Sequence, residues 1–523
     1  MNQRHSYWLA NALAALVLLF GMLTNTRAAE VPPDRPAADL VLRGELSGKD
    51  HQTYRNVPFE VPAGTTRITV QFDYSGHDQH TTIDLGLLGP DGSKLKGFNS
   101  QDGFRGWSGG SKQLFTVGVS DATPSYLPGP IRPGRWSLLL GIPNIRKDNH
   151  ASYTAKIWFG HANDPAWEPA VLNPPLRKEA GWYRGDLHMH SAHSDGTCNS
   201  QSGQRVPCPL FLTVLGAVQR GLDFIAVTEH NTTSQANALR ELQPYFDRLL
   251  LIPGREVTSF TGHANLFGTT APVDFRVGSP SVPDWNSLLR AVAPLHGLIS
   301  INHAIRPGGE LCLGCAWVAD PPVDMALVQA IEIVNGLDAG TPFSAVPFWE
   351  QQLAKGYRLT GIGGSDSHNA FQADLKTGAL ASNLPTTVVY ASELSMPAIL
   401  DGIRAGHVFI DVEGSKDRLL ELSARHDQQQ ASMGDSLAVG TGGNVSFESH
   451  VSHAVGATLV VLLDGKPLAS MHDTVIKDID QHIRFDWPAD GQAHWLRVEV
   501  RNASGKPLLI GNPIYLTAPG LAH

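Results

Sequence analysis

The chain has 523 residues, too many for one ordinary core, so two to four domains are expected. Hydrophobic residues at 42%, charged residues at 17% and frequent glycine and proline describe a globular, loop-rich, β-containing protein and exclude a disordered or coiled one. A formal charge of -9 leaves no broad basic surface, which argues against nucleic-acid polymers and anionic membranes and favours a small-molecule partner.

Residues 1–28 read as a secretory signal: Arg4 in a short polar start, an apolar run from Trp8 to Leu23, then small residues. Thr26 and Ala28 suit the cleavage positions, so the mature chain is expected to begin at Ala29. No later apolar run is long enough to span a bilayer, so export to the periplasm or medium without stable membrane insertion is expected. Residues 29–165 carry alternating runs such as "RITVQFDY" and "RWSLLLGI" between "GPDGS" and "LPGPIRPG" turns, the pattern of a β-sandwich or jelly roll. The Pro-rich piece at 163–175 is a natural linker.

From 180 to 414 apolar strands alternate with helical stretches, which predicts an α/β domain with parallel strands. Residues 415–523 return to β patterning and predict a small C-terminal β domain. The four cysteines, Cys198, Cys208, Cys312 and Cys315, favour disulfides in an oxidising compartment. Three pairings are open; Cys198 with Cys208 and Cys312 with Cys315 are the local ones, and a four-thiolate zinc site is the alternative.

The chemistry concentrates in the α/β region. "RGDLHMHSAHSDG" places His188 and His190 at i and i+2, on one side of an extended segment. "DFIAVTEH" ends at His230, "LLLIPGREV" presents Glu256, "LISINHA" delivers His303, and "LTGIGGSDSH" delivers Asp366 and His368; "GHANLFG" differs, with His263 at the start of its strand. Residues leaving the C-terminal ends of parallel strands converge on one face, and histidine with carboxylate is the donor set for zinc, manganese or iron. His296, His407 and the histidines of the β regions lack such company and read as structural, while Asp186 and His193 read as supporting residues.

In order, "DLHMHSAHSDG", "VTEHN", "GREVTSFTGHANLFG", "INHA" and "GSDSH" resemble the motifs of the PHP (polymerase and histidinol phosphatase) superfamily, and more closely its CehA/McbA-type metallohydrolases. The resemblance implies a distorted (β/α)7 barrel, flanked here by the two β regions, with two or three divalent ions at the strand C-termini. It implies that His188, His190, Glu256 and Asp366 hold one ion. Glu256 would bridge to a second completed by His263 and His303, and Asp195, His230 and His368 would hold a third. The sequence departs from the family with "TEH" for the usual "TDH" and "NHAIRP" for "AHP", without loss of a ligand.

The activity implied is ester hydrolysis by a metal-bridging hydroxide, with Asp366 or His230 as proton shuttle. Phosphate esters come first, with Arg306 as a candidate phosphate clamp and Arg255 as a weaker one. Asn231 and Asn335 would position substrate or cap turns. The closer resemblance raises carboxyl or carbamate esters, for which Trp317, Phe343, Phe348 and Phe371 could wall an apolar pocket. A third expectation is a non-enzymatic binding protein stabilised by metal. Neither G-x-S-x-G, HExxH nor a P-loop occurs, which leaves serine esterases, zincin proteases and nucleotide kinases without support.

Overall fold

Short apolar-polar alternations from Leu40 onward fold as eight strands in the computed structural model, which describes residues 37–94, 97–100, 102–161, 174–310, 312–369, 385–472 and 474–518. The expected signal segment, all but the end of the expected linker, and Phe371 lie outside the described residues. The strands are β1 (Leu40–Ser47), β2 (Thr53–Val61), β3 (Arg67–Tyr74), β4 (Thr82–Leu88), β5 (Phe104–Gly109), β6 (Leu114–Gly118), β7 (Gly134–Asn144) and β8 (His150–Gly160). They pair antiparallel as two four-stranded sheets, β1-β8-β3-β6 and β2-β7-β4-β5. Inward residues of both, among them Ile68, Val70, Trp136 and Leu138, share one core, which makes this region a β-sandwich.

The α/β region begins with β9 (Gly181–Met189), followed by a small hairpin of β10 (Thr197–Asn199) and β11 (Arg205–Pro207). Helix α1 (Leu210–Arg220), β12 (Phe224–His230), α2 (Ala236–Leu242), β13 (Leu250–Ser259) and β14 (Gly262–Phe267) follow. Next come α3 (Trp285–Val292), β15 (Leu298–Ile301), β16 (Ala330–Asn335), α4 (Val346–Ala354) and β17 (Thr360–Gly364). The order in the sheet is β9-β12-β13-β14-β15-β16-β17. His190 N–H donates to Ser367 O at 3.0 Å, and Met189 forms a parallel bridge with Ser367, so the ends of β9 and β17 meet.

The expectation of parallel strands alternating with helices describes only part of this sheet. Strand β14 runs antiparallel to both β13 and β15, because the chain reverses through Phe260 and Thr261 with no helix between the strands. Gly262, at φ +137°, takes a backbone conformation open to glycine, and a side chain there would strike the Trp317 ring. The reversal carries the start of β14 to the edge where its neighbours end, which is why His263 joins residues from strand termini.

After β18 (Thr386–Ala391) and α5 (Met396–Arg404), β19 (Val408–Asp411) pairs with Pro507–Gly511. The central sheet therefore runs on across residue 414 into the C-terminal strands. A separate four-stranded sheet built on Leu419–His426, Gln429–Ser432, Thr441–Ser452 and Asp480–Asp490 shares a core with those strands through Phe447, Leu496 and Val498. Both local disulfides are present, Cys198 with Cys208 and Cys312 with Cys315. Among the described residues no helix is long and apolar enough to cross a membrane.

Candidate metal centre

Register places the donors. In the parallel β12–β13 pair His230 stands beside Glu256, and in the antiparallel β13–β14 pair Thr258 stands opposite His263. Opposed residues share a face, and Glu256 lies two residues from Thr258, so Glu256 and His263 face the same side. His188 lies on β9 and His190 just beyond it; His303 follows β15, while Asp366 and His368 follow β17.

The nine sequence-derived ligands form one connected cluster, five of its imidazoles against the Glu256 carboxylate, which is 1% exposed. Its Oε1 lies 3.4 Å from His188 Nε2, 3.3 Å from His263 Nδ1 and 3.3 Å from His303 Nε2. Its Oε2 lies 3.7 Å from His190 Nε2 and 2.8 Å from His230 Nδ1. Asp366 Oδ1 sits 3.4 Å from His188 Nε2 and 3.3 Å from His190 Nε2. Asp195 Oδ1 is 3.5 Å from His230 Nε2 and 3.3 Å from His368 Nε2, and His190 completes that group with all donor atoms within 4.8 Å.

This donor set fits divalent cations. Two donors on one tetrahedral ion with bonds of about 2.1 Å stand about 3.4 Å apart, the spacing found here. His188 Nε2, His190 Nε2 and His303 Nδ1 are buried without a hydrogen-bond partner, although burying an unbonded polar atom is costly. Two of the residues also hold strained backbone, His303 at φ +28° and Asp366 at φ +50°. The sulfur of Cys315 falls within reach of His263 and His303, but its disulfide to Cys312 removes it as a thiolate.

The opposite ring nitrogens are anchored. His188 Nδ1 bonds Glu332 Oε1 at 2.9 Å, and His368 Nδ1 donates to Asp366 O at 3.0 Å. His263 Nε2 donates to Leu313 O at 3.2 Å, inside the disulfide loop. Each anchor fixes the tautomer that turns the other nitrogen inward. Glu332, absent from the sequence-derived set, also accepts the His303 backbone N–H at 3.0 Å and Asn335 Nδ2 at 2.9 Å. Its signal was "AIEIVN", a lone acid in an otherwise apolar strand. Glu229, also unexpected, accepts from the hydroxyls of Ser191 and Ser194.

Other expected residues divide. Asp186 supports the centre: it accepts the backbone N–H groups of His188 and Ser365 and pairs with Arg220 at 2.7 Å. Asn335 braces Glu332 and reaches Asp366 Oδ2 at 3.4 Å. Asn231 is tied to β13 through both backbone groups of Thr258. His193 bonds Ser234 Oγ at 2.8 Å and stands outside the donor groups. Arg255 alternates to the other face of β13 and donates to Ala271 O, which removes it as a phosphate clamp. Arg306 pairs with Asp338 at 3.0 Å and approaches Asp366 Oδ2 at 3.5 Å. Trp317 packs against Trp285, and Phe348 joins the same core, so neither forms a free pocket wall. Phe343 is exposed.

The histidines of the β regions are not uniformly isolated. His450 and His482 face each other across paired strands, with rings 4.2 Å apart and Asp480 within donor range. Cross-strand register, invisible in the sequence spacing, creates that group.

Electrostatics record the crowding of charge. Burial disfavours the Glu256 and Asp366 anions, yet His188 and the neighbouring imidazoles outweigh it and hold both well below the usual carboxylate range. Burial likewise opposes the charged forms of His188 and His303, but surrounding carboxylates raise both. For His368 burial is outweighed by Asp195 and Asp366, which lift it to about 9. The His368 bond in turn lowers Asp195 to about 2. Without a cation, imidazole protons balance the carboxylates; a cation replaces them.

No family model and no curated protein matches the chain. Among solved structures it is similar to a two-domain protein from Bacteroides vulgatus containing a predicted PHP-like metal-dependent phosphoesterase. The two are 20% identical, with 64% of this chain and 96% of that chain covered and a TM-score of 0.35.

Two outcomes are expected. Glu332→Gln lowers Zn²⁺ affinity about 10- to 100-fold with little change in the far-ultraviolet circular dichroism, because His188 loses its anchor; unchanged affinity by competitive chelator titration contradicts this role. Zn²⁺ binding near pH 7 releases protons, and affinity rises with pH toward 9, where His368 deprotonates. Calorimetry in buffers of different ionisation enthalpy reads the release, and a buffer-independent heat contradicts it.

Proposed function

We propose that this protein is a metal-dependent hydrolase of phosphate esters, a PHP-superfamily enzyme of CehA/McbA type with two or three divalent ions. The observation that carries the reading is the buried Glu256 carboxylate, surrounded by five imidazoles with nitrogens 2.8–3.7 Å from its oxygens, two of which, His188 Nε2 and His190 Nε2, have no hydrogen-bond partner. Purely structural sites are closed, whereas His230, Asp195 and His368 are part-exposed and leave one side open to substrate.

When bound, divalent cations supply an activated water near neutral pH and neutralise charge developing on the ester oxygens. The chain's own residues orient and exchange protons. Asp366, braced by Asn335 and Arg306, is held as an anion at the junction of two donor groups. His230, between Glu256 and Asp195, is placed to carry a proton to the leaving group when the third ion is absent. Arg306 is too committed to Asp338 to act first as a clamp and instead steadies Asp366.

Polar residues line the cavity beside His368 and Asp366, which favours phosphate over aryl carboxyl or carbamate esters. Domains at 29–165, 180–414 and 415–523, and export after removal of residues 1–28, belong to the same reading; the two disulfides support an oxidising compartment. Purified mature protein is expected to hydrolyse p-nitrophenyl phosphate only with Mn²⁺ or Zn²⁺ and to lose at least about 100-fold in kcat/KM in His190→Ala. Activity that survives exhaustive chelation, or wild-type turnover by His190→Ala, contradicts the proposal.

A further inference from the structure

A cavity of about 460 Å³ opens beside the donor cluster, with Thr197, Asn199, Arg205, Asp366, His368 and Asn369 among its lining residues. Four of its seven lining residues, Cys198 among them, come from the β10–β11 hairpin rather than from the central sheet. A two-stranded hairpin alone is marginal in water. This one is closed by the Cys198–Cys208 disulfide and tied to the centre by Thr197 N–H donating to His368 O at 2.7 Å. Thr197 also forms a parallel bridge with Asn369. The hairpin is thus held against the segment that carries His368.

Arg205 is the cation this hairpin brings to the cavity. Its Nε donates to Thr197 Oγ1 at 3.0 Å, and among the described residues this exposed guanidinium forms no ion pair. Arg306, another arginine near the centre, already spends its charge on Asp338 and Asp366. A guanidinium whose terminal nitrogens have no partner among the described residues presents a planar fork that matches two oxygens on one phosphorus.

We infer that Arg205 is the substrate's anion clamp and that the site is built for small phosphomonoesters. This rests on the phosphoesterase reading and names its substrate class. A terminal phosphoryl group has three unsubstituted oxygens, enough to meet both the fork and the cations; a diester has two. The cavity volume suits a small molecule, and among the described residues its lining is mostly polar. Arg205 touches the non-reacting oxygens and sets KM rather than the chemical step.

The test uses the full mature chain loaded with Mn²⁺, as wild type, Arg205→Ala and Arg205→Lys. Kinetics with p-nitrophenyl phosphate and bis-p-nitrophenyl phosphate are read beside calorimetric binding of inorganic phosphate. The expected result is a rise of about tenfold or more in KM for the monoester in Arg205→Ala. The diester should lose less, phosphate binding should weaken in parallel, metal content should be unchanged, and lysine should rescue only in part. Equal KM and equal phosphate affinity in wild type and Arg205→Ala overturn the clamp while leaving the phosphoesterase reading intact. If wild type turns over neither ester yet binds phosphate through Arg205, the hydrolase reading fails and the anion site stands. A wild type that prefers the diester, or binds no phosphate, overturns the inference.

Discussion

Glu256 is a carboxylate almost fully withdrawn from water, and an isolated buried anion is among the most costly things a protein can contain. Here it is compensated from five directions by imidazoles on four other strands or their ends. Neutral imidazoles are weak compensation, and protonated ones at this density repel one another. Divalent charge at the centre resolves both problems, and the outer nitrogens of His188, His263 and His368 are held by hydrogen bonds of their own. Asp186 and Glu332 serve that arrangement: each bonds a backbone N–H and thereby fixes the chain that presents His188 or His303.

The sheet is what lets the ligands meet. Strand ends deliver His188, His190, His230, His303, Asp366 and His368 to one edge, and the reversed β14 brings His263 there from the opposite chain direction. Close approach is built in as well. Gly364 stands where any Cβ would collide with Glu332 and His188, so the last central strand can lie against both. The hairpin hung on His368 then adds a polar cavity without disturbing the donors. Rigid strands hold the metal-type cluster, and a stapled insertion shapes what reaches it.

Much of this was legible from residue spacing. HxH and DSH place two side chains on one side of an extended segment whatever the tertiary fold, so His188 with His190 and Asp366 with His368 could be read as pairs. The β-sandwich was equally visible in the alternation from 40 to 160. What spacing could not carry is register. Glu332 looked like an ordinary strand residue until its strand lay beside His188. The His450–His482 pair depends on a cross-strand alignment some thirty residues apart, and the antiparallel β14 hid behind a tight turn in an otherwise α/β rhythm. The free Arg205 and the committed Arg306 were likewise indistinguishable, because the partners that separate them are distant in sequence.

The central claim is that Glu256 lies within a multinuclear histidine–carboxylate metal centre. X-ray absorption at the zinc edge of the Zn²⁺-loaded mature protein tests it most directly. The account predicts only nitrogen and oxygen neighbours at about 2.0–2.1 Å and a zinc–zinc distance of about 3.5–4 Å, with that metal–metal feature lost in Glu256→Gln. A sulfur shell at about 2.3 Å, or a spectrum indifferent to Glu256→Gln, would contradict it.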